Sequence, residues 1–362
     1  MNNKAVIAMS GGVDSSVAAY LMKQRGFDCI GVTMKLFANE DIGISREHSC
    51  CSLDDVEDAR SVAYSLDIPY YVFNFSDRFE TDVIDRFIHA YENGITPNPC
   101  IDCNRYLKFD KLYMRAKELD RDYVVTGHYA RVEKDGNGRF LLKKALDDTK
   151  DQSYVLYCLT QEQLSHTIFP LGEMRKSQAR EIAESQGFIN ARKADSQDIC
   201  FVPDGDYAGF IMNSDYAQSC SKACIPGNFV NLAGEVIGRH KGYLHYTIGQ
   251  RKGLGLAMGH PVFVVDIRPE TNEVVIGDNS DCFSDRLVAD RLNFMAVDRL
   301  TEPKHLMARI RYSHKGGECT VRMIDDDRIE CVFDEPQRAV TKGQAVVLYE
   351  DGHVFGGGTI IG

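Results

Sequence analysis

No stretch of the 362 residues approaches the roughly 18 consecutive apolar residues that a membrane-crossing helix requires. The chain runs almost at once into a short apolar strand, with no basic, leader-like opening. Neither a membrane span nor a signal peptide is expected, and the compartment this points to is the cytoplasm. A Gly-Lys-Ser/Thr sequence of the Walker A kind is missing as well, as are internal repeats and low-complexity tracts. Positive charge is in short supply: 42 Lys and Arg against 53 Asp and Glu give a net charge of −11, which on its face disfavours a nucleic-acid partner. The deficit is uneven. No acidic residue falls between Glu235 and Asp266, where Arg239, His240, Lys241, His245, Arg251, Lys252 and His260 gather, and Lys304, His305, Arg309, Arg311, His314 and Lys315 form a second basic cluster. Local patches of this kind can hold a polyanion on an otherwise acidic protein. Twelve cysteines without a secretion signal argue against a disulfide scaffold and for thiol chemistry or metal binding.

What is present begins with Ala8 to Ser16, AMSGGVDSS, placed between an apolar strand (Ala5 to Met9) and an amphipathic helix bearing Val17, Ala18, Tyr20, Leu21 and Met22. Gly11 and Gly12 let the main chain approach an anion closely. Ser10, Ser15 and Ser16 add hydroxyls, and the helix start adds its dipole and unpaired N–H groups. The run resembles the PP-loop of ATP pyrophosphatases, which cleave ATP to AMP and pyrophosphate while adenylating an acceptor oxygen.

The length calls for two or three domains, and 44% hydrophobic with 26% charged residues is a soluble globular composition. Strand and helix alternate over the first 130 or so residues: strands at Ile30–Met34, Tyr70–Phe75 and Tyr123–Thr126, helices at Leu53–Leu66, Phe79–Tyr91 and Tyr106–Leu119, and a polar loop over 39–52. The fold class this predicts is α/β, with an N-terminal doubly wound parallel sheet whose ligand site lies beyond the strand ends after Met9, Met34 and Thr126. A hairpin turn is expected at Asp135-Gly136-Asn137-Gly138, helices at Gln161–Ser165 and Lys176–Gln186, with Gly187 closing the latter. Beyond about residue 205, short β stretches between turns take over, the pattern of small β-domains or barrels. Boundaries are placed at 1–205 for the catalytic domain, 206–282 for a central β-rich domain and 283–362 for a C-terminal β-barrel.

Three cysteine sites stand apart from the others. Cys100 and Cys103 have C-x-x-C spacing in a proline-stiffened loop, Cys200 follows a polar loop over 193–197, and Cys50-Cys51 lies in the loop after the second strand. A thiol at a helix start has a lowered pKa, which suits Cys103 if the helix begins near Arg105. The same spacing is a zinc half-site, although no second close pair supplies the remaining ligands.

In order along the chain stand AMSGGVDSS, Thr96-Pro97-Asn98-Pro99, Cys103-Asn104 with Lys108-Phe109, Thr126-Gly127-His128-Tyr129, Lys150-Asp151-Gln152-Ser153, Asp195-Ser196 with Ile199-Cys200-Phe201, and His245 to Gly253. Together these motifs resemble the tRNA-specific 2-thiouridylase family over almost the whole chain. The resemblance implies a PP-loop domain, a central β-domain and a C-terminal β-barrel. It further implies ATP on Ala8, Met9, Ser10, Gly11, Gly12, Val13, Asp14 and Ser15, with Mg²⁺ helped by Asp14 and adenine near Met34 and Gly127. On the same resemblance, the O2 of wobble uridine 34 would attack the α-phosphate; Cys200, loaded as a persulfide by a sulfur carrier or cysteine desulfurase, would deliver sulfur to C2, and the nucleophile Cys103 would resolve the persulfide to a Cys103–Cys200 disulfide. Asn98, Pro99 and Cys100 would contact the target base; His128, Lys150, Asp151, Gln152, Arg311, Tyr312 and Gln344 would touch the tRNA.

One departure stands out: many members have aspartate where this chain has Cys100, and a thiol with a pKa of roughly 8.5 does not replace a carboxylate. Asp102 is a candidate substitute. Alternatively Cys100, Cys103 and Cys200 ligate an iron–sulfur cluster that carries the sulfur. Two other classes of function stay open: a PP-loop synthetase acting on a small metabolite, and a noncatalytic RNA-binding or zinc protein. A monomer binding one tRNA is the simplest assembly.

Overall fold

The computed structural model describes residues 2–37, 53–195, 199–202, 204–213 and 222–362. The polar loop over 39–52 with Cys50 and Cys51, together with Ser196 and Cys220, lies outside the described residues. The chain divides into two compact units. The first comprises Met1–Ile84, Pro99–Gly205 and Asp351–Phe355, and the second Asp85–Asn98, Asp206–Glu350 and Gly356–Gly362.

The first unit is built on a five-stranded sheet ordered Tyr70–Asn74, Asp28–Lys35, Lys4–Ala8, Tyr123–Val125, Thr167–Ile168. Every pairing in it is parallel, as the βαβ rhythm predicts. Lys4–Ala8 is central, and its Ala5, Val6 and Ile7 are wholly buried, so the strand reads as a continuous apolar run rather than an alternating one. On one face Ala5, Ile7 and Met9 meet Val17, Ala18 and Met22 of helix Val13–Gln24, Ala59, Val62 and Ala63 of helix Leu53–Ser65, and Ala179 and Ala183 of helix Lys176–Ser185. Small side chains recur on these helices, which lets their backbones lie close to the sheet. The hairpin Arg131–Lys134 with Phe140–Lys143 turns where Asp135 to Gly138 predicted it, and Gly187, at φ +67°, follows helix Lys176–Ser185.

Two helical runs depart from the expectation of plain α-helices. Ser76–Phe79 continues into a π-helical turn, Glu80–Ile84, before Asp85–Glu92 resumes the α form. The second run starts at Pro99, well before Tyr106, and holds π geometry over Cys103–Lys111 before ending as Leu112–Glu118. Proline at the first helical position was the available signal: its missing N–H costs nothing there and its φ is already helical.

The second unit is β-rich. One sheet is ordered Phe263–Arg268, Glu273–Gly277, Gly227–Val230, Val236–His240. The C-terminal strands Phe283–Phe294, Ile329–Arg338, Gly317–Met323, Lys304–Arg309, Ala345–Glu350 and His353–Ile360 pair in that order, and the last pairs back with the first to close a six-stranded barrel. Residues 85–98 belong here as well. Thr96 N donates to Lys342 O at 3.0 Å, Tyr243 Oη to Glu92 O at 2.6 Å, and Tyr91 stacks on Tyr207 with centroids 4.6 Å apart.

Candidate active site

Strand Lys4–Ala8 hands over to helix Val13–Gln24 through Met9 to Gly12. Met9 N donates to Val32 O at 2.8 Å, which fixes the strand end. Gly11 then takes φ +77°, and a Cβ there would stand 2.4 Å from the Asp55 carbonyl oxygen, so only glycine fits. Gly12 caps the helix without a side-chain hydrogen bond, leaving the first backbone N–H groups for a ligand. Inside the turn, the Ser15 hydroxyl accepts from Ser10 N at 3.2 Å and donates to Gly12 O at 3.0 Å. Gly127, at the end of strand Tyr123–Val125, closes the same turn from the other side: a Cβ on it would lie 2.7 Å from the Asp14 carbonyl carbon.

Asp14 itself is held from outside the turn. Lys176 Nζ donates to both of its carboxylate oxygens at 2.7 Å, and Tyr129 Oη donates to Oδ1 at 2.8 Å. Burial and the nearby Asp14 charge push the Tyr129 phenol far up, so it stays a donor at any ordinary pH. The segment after helix Lys176–Ser185 wraps the turn. Asn190, buried, donates from Nδ2 to Gly11 O and Ser16 Oγ, each at 2.9 Å, and Lys193 Nζ reaches Asp55 and Asp58 at 2.6 and 2.7 Å.

Asp195 collects three cations: Lys150 at 2.8 Å, Lys176 at 2.8 Å and Arg180 at 2.9 Å. Burial would raise its carboxyl, but hydrogen bonds from Lys150 and Lys176 and their charge outweigh it and hold the group at about 2 against an ordinary 3.8. A depressed carboxyl stabilises the fold above its unfolded pKa and loses that contribution as pH falls through the folded one. The difference corresponds to about 2 kcal/mol. Urea unfolding of wild type and Asp195→Asn is therefore expected to show a gap near neutral pH that closes progressively between about pH 4 and pH 2.

The thiols stand around one cavity. Ala8, Met9, Ser10, Asp14, Ser15, Met34, Thr126, Gly127, His128 and Gln152 line a space of about 300 Å³ together with Pro99, Cys100, Cys103, Lys108, Cys200 and Phe201. None of the three cysteines is in a disulfide; Cys100 is exposed, Cys103 buried and Cys200 half-buried. Because the helix begins at Pro99, Cys100 occupies its first turn and Cys103 lies one turn in, so the expectation of Cys103 at the helix start is corrected. Phe201 is anchored edge-on against Phe79 at 5.6 Å, which seats Cys200 beside it. His128 shares a 2.6 Å hydrogen bond with Thr126 Oγ1 and packs on Phe109 and Phe169; burial, then the Lys108 charge, pulls its pKa well below the usual range. It faces the cavity as a neutral imidazole. Among the described residues no group of three His, Cys, Asp or Glu side chains is placed to hold a metal ion. The described residues therefore lend no support to a cluster on Cys100, Cys103 and Cys200.

The other predicted contact residues fall in different places. Asp151 is buried, and its carboxylate accepts from Ala145 N, Ser153 N and Ser153 Oγ, fixing the turn between Lys150 and Gln152. Gln152 exchanges two 2.9 Å hydrogen bonds with the Tyr129 backbone. Within the second unit, Gln344 Nε2 donates to Thr96 O and Pro97 O at 3.0 and 3.2 Å, just before Asn98, and Arg311 donates to Arg338 O at 2.9 Å. Tyr312 is exposed, with the Arg309 guanidinium 6.0 Å from its ring. Gly11, Gly12 and Val13 shape the turn without lining the cavity. Lys176 and Asn190 were not foreseen. A lysine at the first residue of a helix opposes the helix dipole, and that mismatch is the sequence sign that a carboxylate must face it.

The sequence matches the family models described as tRNA methyl transferase HUP domain over residues 3–204, tRNA methyl transferase PRC-barrel domain over 217–278 and aminomethyltransferase beta-barrel domain over 284–360. It is 56% identical over 359 residues to the tRNA-specific 2-thiouridylase MnmA of Lachnoclostridium phytofermentans, covering 99% of both chains. It is 53% identical over 361 residues to the protein of that name from Clostridioides difficile, covering 99% of this chain and 98% of that one. The chain belongs to the tRNA-specific 2-thiouridylase family. Among solved structures, the U34-tRNA thiolase NcsA from Methanococcus maripaludis matches at 18% identity and a TM-score of 0.36, over 61% of this chain and 70% of that one. Membership accounts for the succession of a parallel-sheet unit and a closed C-terminal barrel.

Proposed function

We propose that this protein is a tRNA sulfurtransferase that adenylates O2 of the wobble uridine with ATP and replaces that oxygen by sulfur from a cysteine persulfide. What supports this most directly is that the phosphate-binding turn and the thiols of Cys100, Cys103 and Cys200 line one cavity. The family models' descriptions speak of methyl transfer and the relatives' names of thiolation. A phosphate cradle beside unbridged thiols is what activation by adenylation followed by sulfur transfer requires.

The triphosphate would lie at the turn against the first backbone N–H groups of helix Val13–Gln24 and the hydroxyls of Ser10 and Ser15, with adenine toward Met34 and Gly127. Mg²⁺, the usual companion of a triphosphate, would neutralise phosphate charge; Asp14 is the carboxylate on the cavity wall for it, and Lys176 already holds both its oxygens at 2.7 Å. The turn thus fits an ion carried mainly by phosphate and water. O2 of uridine bonds to the α-phosphorus and pyrophosphate leaves. The terminal sulfur of a Cys200 persulfide bonds to C2, the C2–O bond breaks, and AMP departs with the oxygen. Cys103 attacks Cys200 Sγ and cleaves the persulfide S–S bond, leaving sulfur on the base and a Cys103–Cys200 disulfide that an external dithiol reduces. Asn98, Pro99 and Cys100 would hold the splayed base, and neutral His128 would offer it a hydrogen bond rather than a charge. Lys150, Gln152, Arg311, Tyr312 and Gln344 would complete the tRNA contacts, with buried Asp151 holding the turn that carries Lys150 and Gln152, a single copy of the chain serving one tRNA and an external carrier supplying persulfide.

The test is one incubation of purified protein with ATP, Mg²⁺, a persulfide source and unmodified tRNA bearing uridine 34, read by nucleoside mass spectrometry and nucleotide analysis. Thiolated uridine with stoichiometric AMP is expected. AMP formation that depends on a small metabolite and not on tRNA would overturn the assignment in favour of another synthetase.

A further inference from the structure

Behind the nucleotide turn lies a charge cluster in which the reaction above gives a part to Asp14 and Lys150 but none to Lys176, Arg180 or Asp195. The Lys176 ammonium has three N–H donors and meets three oxygens: both of Asp14 at 2.7 Å and Oδ1 of Asp195 at 2.8 Å. Its hydrogen-bonding capacity is therefore filled. The Lys176 side chain is only 11% exposed, and Asp195 does not line the cavity. Asp195 is gripped in turn by Lys150 at Oδ2 and by Arg180 at Oδ1. Arg180 also donates to Lys193 O at 3.2 Å, pinning the backbone two residues before Asp195. Replaced whole by apolar side chains of the same volume, a cluster withdrawn from water in this way would cost the fold little, although removing one member strands the others; what the charges add beyond apolar packing is geometry.

We infer that Asp195 is a positioning residue for the nucleotide turn: it holds the Lys176 ammonium, and through it the Asp14 carboxylate, in the orientation that receives the triphosphate. The inference rests on the ATP-dependent reading above. A lysine on a four-carbon stem held by Asp14 alone would swing with it. Held from the far side by Asp195, it becomes a fixed post. Simple charge counting predicts the opposite of positioning. Removing a negative charge near a polyphosphate site should tighten ATP binding, whereas removing the post should weaken it.

The deciding experiment is equilibrium binding of labelled ATP with Mg²⁺ to the full-length protein without tRNA, comparing wild type with Asp195→Asn and Asp195→Glu. Asp195→Asn is expected to raise the ATP dissociation constant at least fivefold, and Asp195→Glu, which keeps the charge, to recover part of that loss. In turnover the ATP half-saturation rises by the same factor, while the maximal thiolation rate stays within about twofold. Should Asp195→Asn fail to fold, Arg180→Met, which removes one of the holds on Asp195, is expected to weaken ATP at least twofold. ATP binding as tight as wild type, or tighter, in Asp195→Asn or, failing that, Arg180→Met overturns the inference while leaving the thiolation reading intact. A wild-type protein that thiolates tRNA with no measurable ATP binding or AMP release overturns both.

Discussion

Cys200→Ala is expected to abolish 2-thiouridine formation, by on the order of a thousandfold or more, while tRNA-dependent AMP release continues within a few-fold of wild type. The two halves of the reaction draw on different atoms. Adenylation needs the backbone N–H groups and serine hydroxyls of the nucleotide turn and the uridine oxygen, none of which the substitution touches. Sulfur delivery needs a sulfur atom on residue 200. The side chain is half-buried on a cavity wall, so trimming it to a methyl group leaves little void, and its neighbour Phe201 stays packed on Phe79. Cys103→Ala is expected to allow at most a reduced single round and then stall, because no thiol remains to cleave the persulfide bond. Quenched samples analysed for AMP and thiolated nucleoside side by side give the ratio directly. Thiolation that survives at wild-type rate in Cys200→Ala would remove the relay from consideration and send the search for the sulfur-bearing group elsewhere.

Gly11→Ala is expected to remove ATP binding and to destabilise the first unit together. At φ +77° an L side chain pays about 1–2 kcal/mol in backbone strain alone, and the new Cβ would overlap Asp55, its carbonyl oxygen 2.4 Å away. The overlap is with backbone, so no rotamer change relieves it; either the turn opens or helix Leu53–Ser65 retreats. A total loss of about 2–4 kcal/mol follows, in the range of overpacked sites. The turn's carbonyl at Gly11 would lose its bond from Asn190 in the same movement. Thermal unfolding with and without ATP checks both effects. The variant should melt several degrees below wild type and lose most of the upward shift that ATP gives the wild-type protein. A variant that melts lower yet shows the full ATP shift would separate the fold from the cradle and contradict the expectation.

The parallel sheet and the nucleotide turn were legible because their signals are local: an apolar strand, two glycines and a serine-rich helix start lie within sixteen residues. The C-terminal strands were harder. Phe283–Phe294 carries Asp285, Arg286, Asp290 and Arg291 and buries only Leu287 and Ala289, so its apolar content is too low to announce a twelve-residue strand. His353–Ile360 contains three consecutive glycines, ordinarily a sign against a strand. Here they are required by close approach: a Cβ at Gly358 would stand 2.6 Å from Asp290 O across the pairing that closes the barrel. At the site, residues near the motifs were found and those reaching in from elsewhere were not. Lys176 and Asn190 act on the turn from more than 160 residues away in the chain, as with Lys176 to Asp14 and Asn190 to Gly11. The helix start at Pro99 fits proline's place at a first helical position, yet the same prolines also read as a stiffened loop, which sets the start near Arg105. The π geometry that follows it left no trace in residue type.

The order in which the chain is made sets a last constraint. The first unit includes residues 351–355, where His353 pairs with Lys143, and the second draws on both 85–98 and 356–362. Neither unit is therefore complete during synthesis until residues 351–362 have emerged, although most of the parallel sheet has been available for some 190 residues by then. Domain-by-domain folding during synthesis, the usual safeguard of long chains, stops short here. A stop codon after Glu350 would remove little mass, yet would leave two unfinished bodies, one missing a pairing partner for its hairpin and the other an open barrel with bare strand edges.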